Sequence, residues 1–197
     1  RNGVKYDYPF RECFKSMLAI CDKVYVALGD SDDGTEAALK DIPNLVLVRT
    51  VWDENMRKSG LILSQQLNVA IDAMRKDTKE GWIFHLQADE LISDREVTQI
   101  RADMEQADRE GCDAMSFRYL HYWLSYQKIA IARRWYPQEM RAIKTNSDAR
   151  SFGDVQSFRP VKKIFVSDTT VHHYGHVREA DAYEKKKEDF LEATNLI

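Results

Sequence analysis

Cysteine is scarce in this 197-residue sequence, and the three present, Cys13, Cys21 and Cys112, form no C-x-x-C pair. That excludes a disulfide framework and a cysteine-based zinc site as organising features, and a reducing, cytoplasmic setting is expected. Long hydrophobic runs are missing too. Nothing approaches the roughly 18 residues of a membrane span and no secretory h-region is present, so membrane association is not expected. Nor does one sign of charge dominate: a formal net charge of -3 from 29 basic and 32 acidic residues gives no ground for nucleic acid as a partner. The sequence lacks G-x-G-x-x-G after a strand, a Walker A loop and G-x-S-x-G; Gly29-Asp-Ser-Asp-Asp approaches the last but carries Asp33 at its end. There is no internal repeat and no low-complexity segment. The opening residue is Arg1 rather than Met, and such a chain is expected to be a fragment or to start where order starts.

What is present is an ordinary globular composition, 44% hydrophobic and 31% charged, at a length that predicts one domain with a full core. Pro9 opens a helical pattern with Phe10, Cys13, Phe14, Met17, Leu18 and Cys21 on one face. Val24 to Leu28 is a short apolar strand followed by the polar turn Gly29-Asp-Ser-Asp-Asp-Gly-Thr35. Asp33 and Glu36 form a capping-box pattern for a short helix ending near Lys40. Leu45 to Val51 is a second strand, ending at Trp52-Asp53. Ser59 is placed to cap a helix with Ile62, Leu63, Leu67, Ala70, Ile71 and Met74 on its apolar side, broken at Gly81. Trp82 to Leu86 is a third strand, and Ser93 with Glu96 caps a helix that turns Val97, Ile100 and Met104 inward. This alternation with short connections predicts a parallel sheet with covered faces. The second half reads differently: a half-exposed strand over Met115 to Tyr119, an aromatic and basic stretch from Tyr122 to Tyr136, a loop over Asn146 to Gly153, a strand over Lys163 to His173 and a charged helical tail from Glu179 to Thr194.

Three strands of the first half end in acid: Asp30, Asp53 and Asp89. In an open parallel sheet they emerge on one edge, in the crevice where such sheets bind ligands. Clustered carboxylates raise one another's pKa, and a hard cation such as Mg2+ or Mn2+, shared with substrate phosphates, relieves that repulsion. Each acid taken alone also suits a turn; the three together favour a site. Asp89-Glu90 in particular follows an apolar strand where Gly or Asn would be usual.

The order strand, Asp30-Ser-Asp-Asp-Gly-Thr, strand, Trp52-Asp-Glu, a helix from Gly60 to Asn68, then Trp82-Ile-Phe-His-Leu-Gln-Ala-Asp-Glu90 resembles the family 2 glycosyltransferases of the GT-A fold. A bacterial subgroup with a Gln-Ala-Asp-Glu turn is the nearest pattern. Phe117-Arg-Tyr-Leu-His121, Trp135-Tyr136, Arg141, Phe152-Gly-Asp-Val-Gln-Ser-Phe158 and Val171-His-His-Tyr-Gly-His-Val-Arg178 resemble that subgroup's acceptor half, so the likeness covers nearly the whole chain. It implies a Rossmann-like α/β sandwich with a mostly parallel central sheet, helices on both faces and a smaller acceptor-side β region. Residues 1–110 would form the nucleotide-sugar half, 111–197 the acceptor half and C-terminal helix, and a first strand would lie ahead of Arg1.

The resemblance also implies roles. Asp30, Ser31 and Asp33 stand where uracil and ribose are held, with Asp53 and Asn68 in the same donor half. Asp89 matches the last member of the Asp-x-Asp motif, with Glu90 as a helper and His173 as a tail ligand for Mn2+ or Mg2+. Gln87 replaces the first acid; its carbonyl accepts a ribose hydroxyl but supplies no charge. Arg178 suits a diphosphate or an ordinary salt bridge, and Asp154 suits a general base or a loop cap. Trp123, Tyr126, Trp135 and Tyr136 suit a sugar platform or core packing. His172, His173 and His176 also fit plain strand-end residues, and a zinc hydrolase lacks its partner carboxylate. The expected activity is metal-dependent transfer of a sugar from a nucleotide-sugar, a UDP-sugar first, to a glycan or other hydroxyl acceptor, with inversion. A non-catalytic nucleotide- or glycan-binding module and a sugar-phosphate nucleotidyltransferase are the rival readings.

Overall fold

The computed structural model describes residues 1–56, 60–133, 135–155, 157–179 and 181–186. The apolar spacing after Pro9 becomes α1 (Phe10–Leu18), with Phe10, Cys13, Phe14 and Met17 buried. β1 (Val24–Gly29) and β2 (Leu45–Thr50) pair in parallel, from Val24 opposite Leu45 to Gly29 opposite Thr50. Between them a 3-10 turn at Ala37–Leu39 takes the place of the expected capped helix. Asp33 instead closes its own loop, accepting the Thr35 backbone N–H at 3.0 Å. α2 (Leu61–Asp77) starts at Gly60, which has φ of 69°; Ser59 lies outside the described residues.

Next come β3 (Trp82–Phe84), β4 (Glu90–Ile92) and α3 (Val97–Arg109). Ser93 accepts the Arg95 backbone N–H in the turn leading to α3. β5 (Ala114–Trp123), β6 (Gln138–Lys144), a small hairpin of β7 (Arg150–Phe152) and β8 (Ser157–Arg159), and β9 (Ile164–His176) complete the order. Residues 181–186 are helical, and the rest of the expected tail helix lies outside the described residues. Among the described residues no helix is long and apolar enough to cross a membrane.

The expectation of a mostly parallel sheet needs correcting. The main sheet has five strands in the order β3-β6-β5-β9-β4, separate from the β1-β2 pair. Only β5 and β9 run parallel within it; β3-β6, β6-β5 and β9-β4 are antiparallel. The cause is β6. Its sequence Gln-Glu-Met-Arg-Ala-Ile-Lys has four polar or charged members among seven, so its hydrophobic pattern hides a strand whose interior is nevertheless buried. The expected loop over 146–153 likewise contains β7.

Two apolar clusters flank the sheet. One joins α1 and α3 (Phe14, Met17, Ile100) to Phe84, Met115 and Phe117. The other joins α2 (Leu67, Ile71) to Ile83, Ala114, Ile143 and Phe158. Ile83 and Phe84 are adjacent on β3 and point to opposite faces, so α1 and α2 pack on opposite sides. Ile143, the penultimate residue of β6, is fully buried. Ile143→Ala should therefore cost about 2–5 kcal/mol, read as a lowered urea midpoint with an unchanged slope.

Candidate active site

The turn between β3 and β4 is built on Glu90. Its backbone N–H donates to the Gln87 carbonyl at 3.0 Å. Its side chain accepts the Gln87 N–H at 3.1 Å, so the residue closes the turn on itself. Beneath the turn lies Arg141 of β6, whose Nε and Nη2 donate to the two Glu90 oxygens at 2.9 and 2.8 Å. The Tyr119 hydroxyl of β5 also donates to Glu90, and Arg141 Nη1 reaches the Met140 carbonyl at 3.1 Å and Glu139 at 3.4 Å. Glu90 and Arg141 are both buried. Burial alone would raise the Glu90 pKa, but the Arg141 guanidinium overrides it and holds the carboxyl at about 2. Both Glu90 oxygens are thus committed inward, and the side chain anchors the turn.

The neighbouring Asp89 faces the other way, into a cavity of about 1620 Å³. Arg178 Nη2 lies 3.5 Å from its Oδ2, and His173 Nε2 lies 3.9 Å from its Oδ1. This approach needs Gly175: a Cβ there would run into the His173 ring and stand 2.9 Å from Asp89 Oδ2. The Arg178 side chain is almost fully buried, donating to the carbonyls of Tyr6 at 3.0 Å and Gly175 at 2.8 Å and lying over the Tyr8 ring. Its Nε has no hydrogen-bond partner among the described residues.

His173 is oriented from behind. Its Nδ1 lies 3.1 Å from Nδ1 of His121, whose Nε2 lies 3.2 Å from the Tyr136 carbonyl. Burial, and then the neighbouring His173, pulls the His121 pKa down to about 4. A neutral His121 must donate from Nε2 to that carbonyl, which leaves its Nδ1 as an acceptor. His173 Nδ1 then donates to it, and a neutral His173 carries its lone pair on Nε2, toward Asp89. Trp135, Trp123 and His176 pack around this pair of imidazoles.

The other sequence-predicted residues divide into two groups. Gln87, Asp89 and Asp154 line the same cavity, together with Asp32, Thr35 and Trp52. Asp154 abuts Gly60, where a Cβ would stand 2.9 Å from the Asp154 Cα. Asp30, Ser31, Asp33, Asp53 and Asn68 are not in that lining, and neither are His173 and Arg178, which reach the site through Asp89. Asp30 pairs with Arg1 at 3.7 Å. The Ser31 hydroxyl accepts the Asn2 N–H and donates to the Gly29 carbonyl, both at 2.9 Å. Asp33 accepts from Lys5 N–H at 2.7 Å and from Thr35. Asp53 accepts both the backbone and side-chain N–H of Asn55. Asn68 braces β7, donating to the Ser151 carbonyl at 2.8 Å and accepting its N–H at 3.0 Å. Of the three acids expected at the strand ends, Asp30 and Asp53 meet local partners and Asp89 lines the cavity. Among the described residues no group of three or more His, Cys, Asp or Glu is placed to hold a metal ion.

Glu139 and His121 were not singled out in the sequence. Glu139 and Arg141 share one face of β6 at a spacing of two, the one signal available once β6 is known to be a strand. Burial, only partly offset by Arg141, pushes the Glu139 carboxyl up to about 7.

These elements and this turn define a mixed α/β fold. A solved structure of that shape is S. aureus TarS, a glycosyltransferase, whose crystal structure matches with a TM-score of 0.55 at 13% identity. The match covers 94% of this chain and 37% of the TarS chain, so this chain spans well under half of that protein. At that identity the likeness is one of fold. No family model and no curated protein matches the sequence.

Two outcomes are expected. Arg141→Met, which strands Glu90 as an unpaired buried charge, should destabilise by about 3–5 kcal/mol; adding Glu90→Leu should recover most of the loss in urea unfolding. Stability should also fall in acid. Burial lowers the pKa of His85 to about 3 and of His121 and His176 to about 4, from an ordinary 6.5. The stability they confer is present above pH 6.5 and lost as pH falls toward 4. Glu139 acts oppositely, its contribution being lost as pH rises from 4.5 through 7. Three histidines outweigh one carboxyl, so the urea midpoint should be lower at pH 5 than at pH 7.5, and His85→Gln should reduce that difference.

Proposed function

We propose that this chain is a glycosyltransferase that moves a sugar from a nucleotide-sugar, a UDP-sugar first, to an acceptor hydroxyl. The observation that carries this reading is Asp89. It stands at the cavity end of a turn pinned by a buried ion pair, with Arg178 and His173 beside its two oxygens. Arg178 offers a buried guanidinium with an uncommitted Nε–H, a donor suited to phosphate oxygens. Asp154, on the lining of the same cavity, is the candidate base for the acceptor hydroxyl as its oxygen attacks the anomeric carbon. A single displacement of that kind inverts the anomeric centre.

The donor set at Asp89 suits a divalent cation held chiefly by substrate. One carboxylate and one imidazole lone pair face each other at 3.9 Å, and Mg2+ or Mn2+ characteristically takes its remaining ligands from phosphates and water. Asp89 and His173 would hold it, and when bound it would neutralise charge on the leaving diphosphate. Gln87 and the inward commitment of Glu90 favour a second reading, a nucleotide-binding module that works without metal or transfer.

Calorimetric titration of UDP into the protein, with and without Mn2+, separates these. The glycosyltransferase reading expects binding strengthened by Mn2+ and weakened at least tenfold by Asp89→Asn, with the exposed substitution Asp168→Asn binding as the parent does. Binding indifferent to Mn2+, with no UDP released from any sugar nucleotide, supports the module. No binding under either condition ends both.

A further inference from the structure

The paired register of β5 with β6 ends at Arg118 and Gln138, while β5 continues beside β9. The chain then turns over residues 124–127 and comes back along β5. The Trp123 N–H donates to the Lys128 carbonyl and the Ala130 N–H to the His121 carbonyl, both at 2.9 Å, and Tyr122 bridges Ile129. Leu124 makes the bend with φ of 58°, its N–H donating to the His176 carbonyl at 3.1 Å. Successive strand residues point to opposite faces, so this hairpin has two unlike sides. His121 and Trp123 meet His173, His176 and Trp135 on the side of the candidate active site. Tyr122 takes the other side. There its ring stacks on Tyr174 at 4.5 Å with 16° between the planes, and Tyr126 joins Tyr174 at 5.4 Å.

The turn carries large apolar side chains in solvent. Ile131 is 93% exposed, Leu124 71%, Tyr126 66% and Ile129 47%. Contiguous apolar exposure of this kind marks an interaction surface. None of the four lines the large cavity, so they stand on a turn rather than in a pocket. The charge around them is one-sided. The chain holds 32 acidic residues, yet none falls between Asp113 and Glu139, a stretch that contains Arg118, Lys128, Arg133 and Arg134. Arg118 pairs with Asp168. Lys128 and Arg133 are exposed, and neither side chain has an acidic partner among the described residues. Apolar side chains for the acyl boundary, tyrosines for the headgroup level and unpaired cations for lipid phosphates are the set that an anionic bilayer surface selects.

We propose that the 121–133 segment docks the protein onto an anionic lipid surface, with Leu124, Tyr126, Ile129 and Ile131 at the acyl boundary and Lys128 and Arg133 among the lipid phosphates. The contact is peripheral, since no helix among the described residues is long and apolar enough to cross a membrane. A turn suits this partner because a bilayer deforms around a projecting side chain and needs no matching pocket. The inner side of the same hairpin backs the His121–His173 pair, so docking holds the Asp89 site close to the lipid surface. The charge that draws the protein there is local: the whole chain is acidic, at -3, and a surface-wide attraction does not arise.

Flotation of the protein with phosphatidylcholine vesicles, with and without phosphatidylglycerol, tests this. No nucleotide is present, so the outcome is separate from that of the donor-site reading. Binding to the anionic vesicles is expected, with little to phosphatidylcholine alone and a loss as salt is raised. Tyr126→Ser combined with Ile131→Ser should weaken it about tenfold or more, through two apolar side chains that no longer leave water. Lys128→Gln combined with Arg133→Gln should remove the preference for anionic lipid. Val166→Ser, at an exposed apolar position of β9 outside the hairpin, should bind as the parent does. Tyr126→Trp gives a readout that needs no loss of binding: relative to the parent, its added emission should shift to the blue with vesicles and be quenched by brominated acyl chains. The proposal is overturned by absence of binding to either vesicle, by binding that survives the Tyr126 and Ile131 changes, or by Tyr126→Trp emission indifferent to brominated lipid. A concentration-dependent dimer that Ile131→Ser abolishes, with vesicles left unbound, overturns it too, since the occupant is then a second copy.

Discussion

The buried pair of Glu90 and Arg141 is the constraint on which the site depends. Two charged groups with almost no water contact are stable only if each satisfies the other and the leftover donors and acceptors find partners. Here they do: the guanidinium meets both carboxylate oxygens, Tyr119 adds a hydroxyl, the Gln87 N–H a backbone donor, and Met140 a carbonyl acceptor. The pair ties the turn after β3 to the middle of β6 and to β5. Because Glu90 is held inward, its neighbour Asp89 is directed to the cavity, with β9 bringing His173 and the residues after it bringing Arg178 alongside. A hydrophobic pair of equal volume could hold the strands together as firmly. It could not close the turn through the Gln87 N–H.

A second layer of polar contacts sets the chemistry of the imidazole. The Tyr136 carbonyl fixes the protonated nitrogen of His121, and His121 fixes that of His173. Second-sphere partners of this kind govern which ring nitrogen is open to a ligand. The same burial that keeps His121 neutral near pH 7 makes the arrangement sensitive to acid. Gly175 is the steric counterpart, giving up a side chain so that the ring and the Asp89 carboxylate can approach.

Much of the frame was legible in the residues. α1, α2, α3, β1, β2 and β3 follow apolar periodicity, and Asp89 after Trp82 to Leu86 marked the turn that the site is built on. The misses share one physical cause. β6 looks polar because Glu139 and Arg141 interrupt it, and the burial of Arg141 is tolerable only through Glu90, which lies 51 residues from it in sequence. Asp33 and Asn68, expected in the donor half, also meet backbone groups that local sequence does not reveal, at Lys5 and at Ser151. A carboxylate or amide at the end of an element offers the same donors and acceptors to a ligand as to a neighbouring loop. Distance along the chain does not say which will arrive.

By itself the sequence determined the α/β class, the apolar strand that delivers the turn and the presence of Asp89, because hydrophobic periodicity and turn chemistry act over a few residues. The tertiary structure decided the direction of the strands, the engagement of Glu90, and which of the acidic residues face the cavity. Those choices turn on pairing between groups remote in sequence. A buried charge settles where its partner is, and only the folded chain brings Arg141 beneath Glu90.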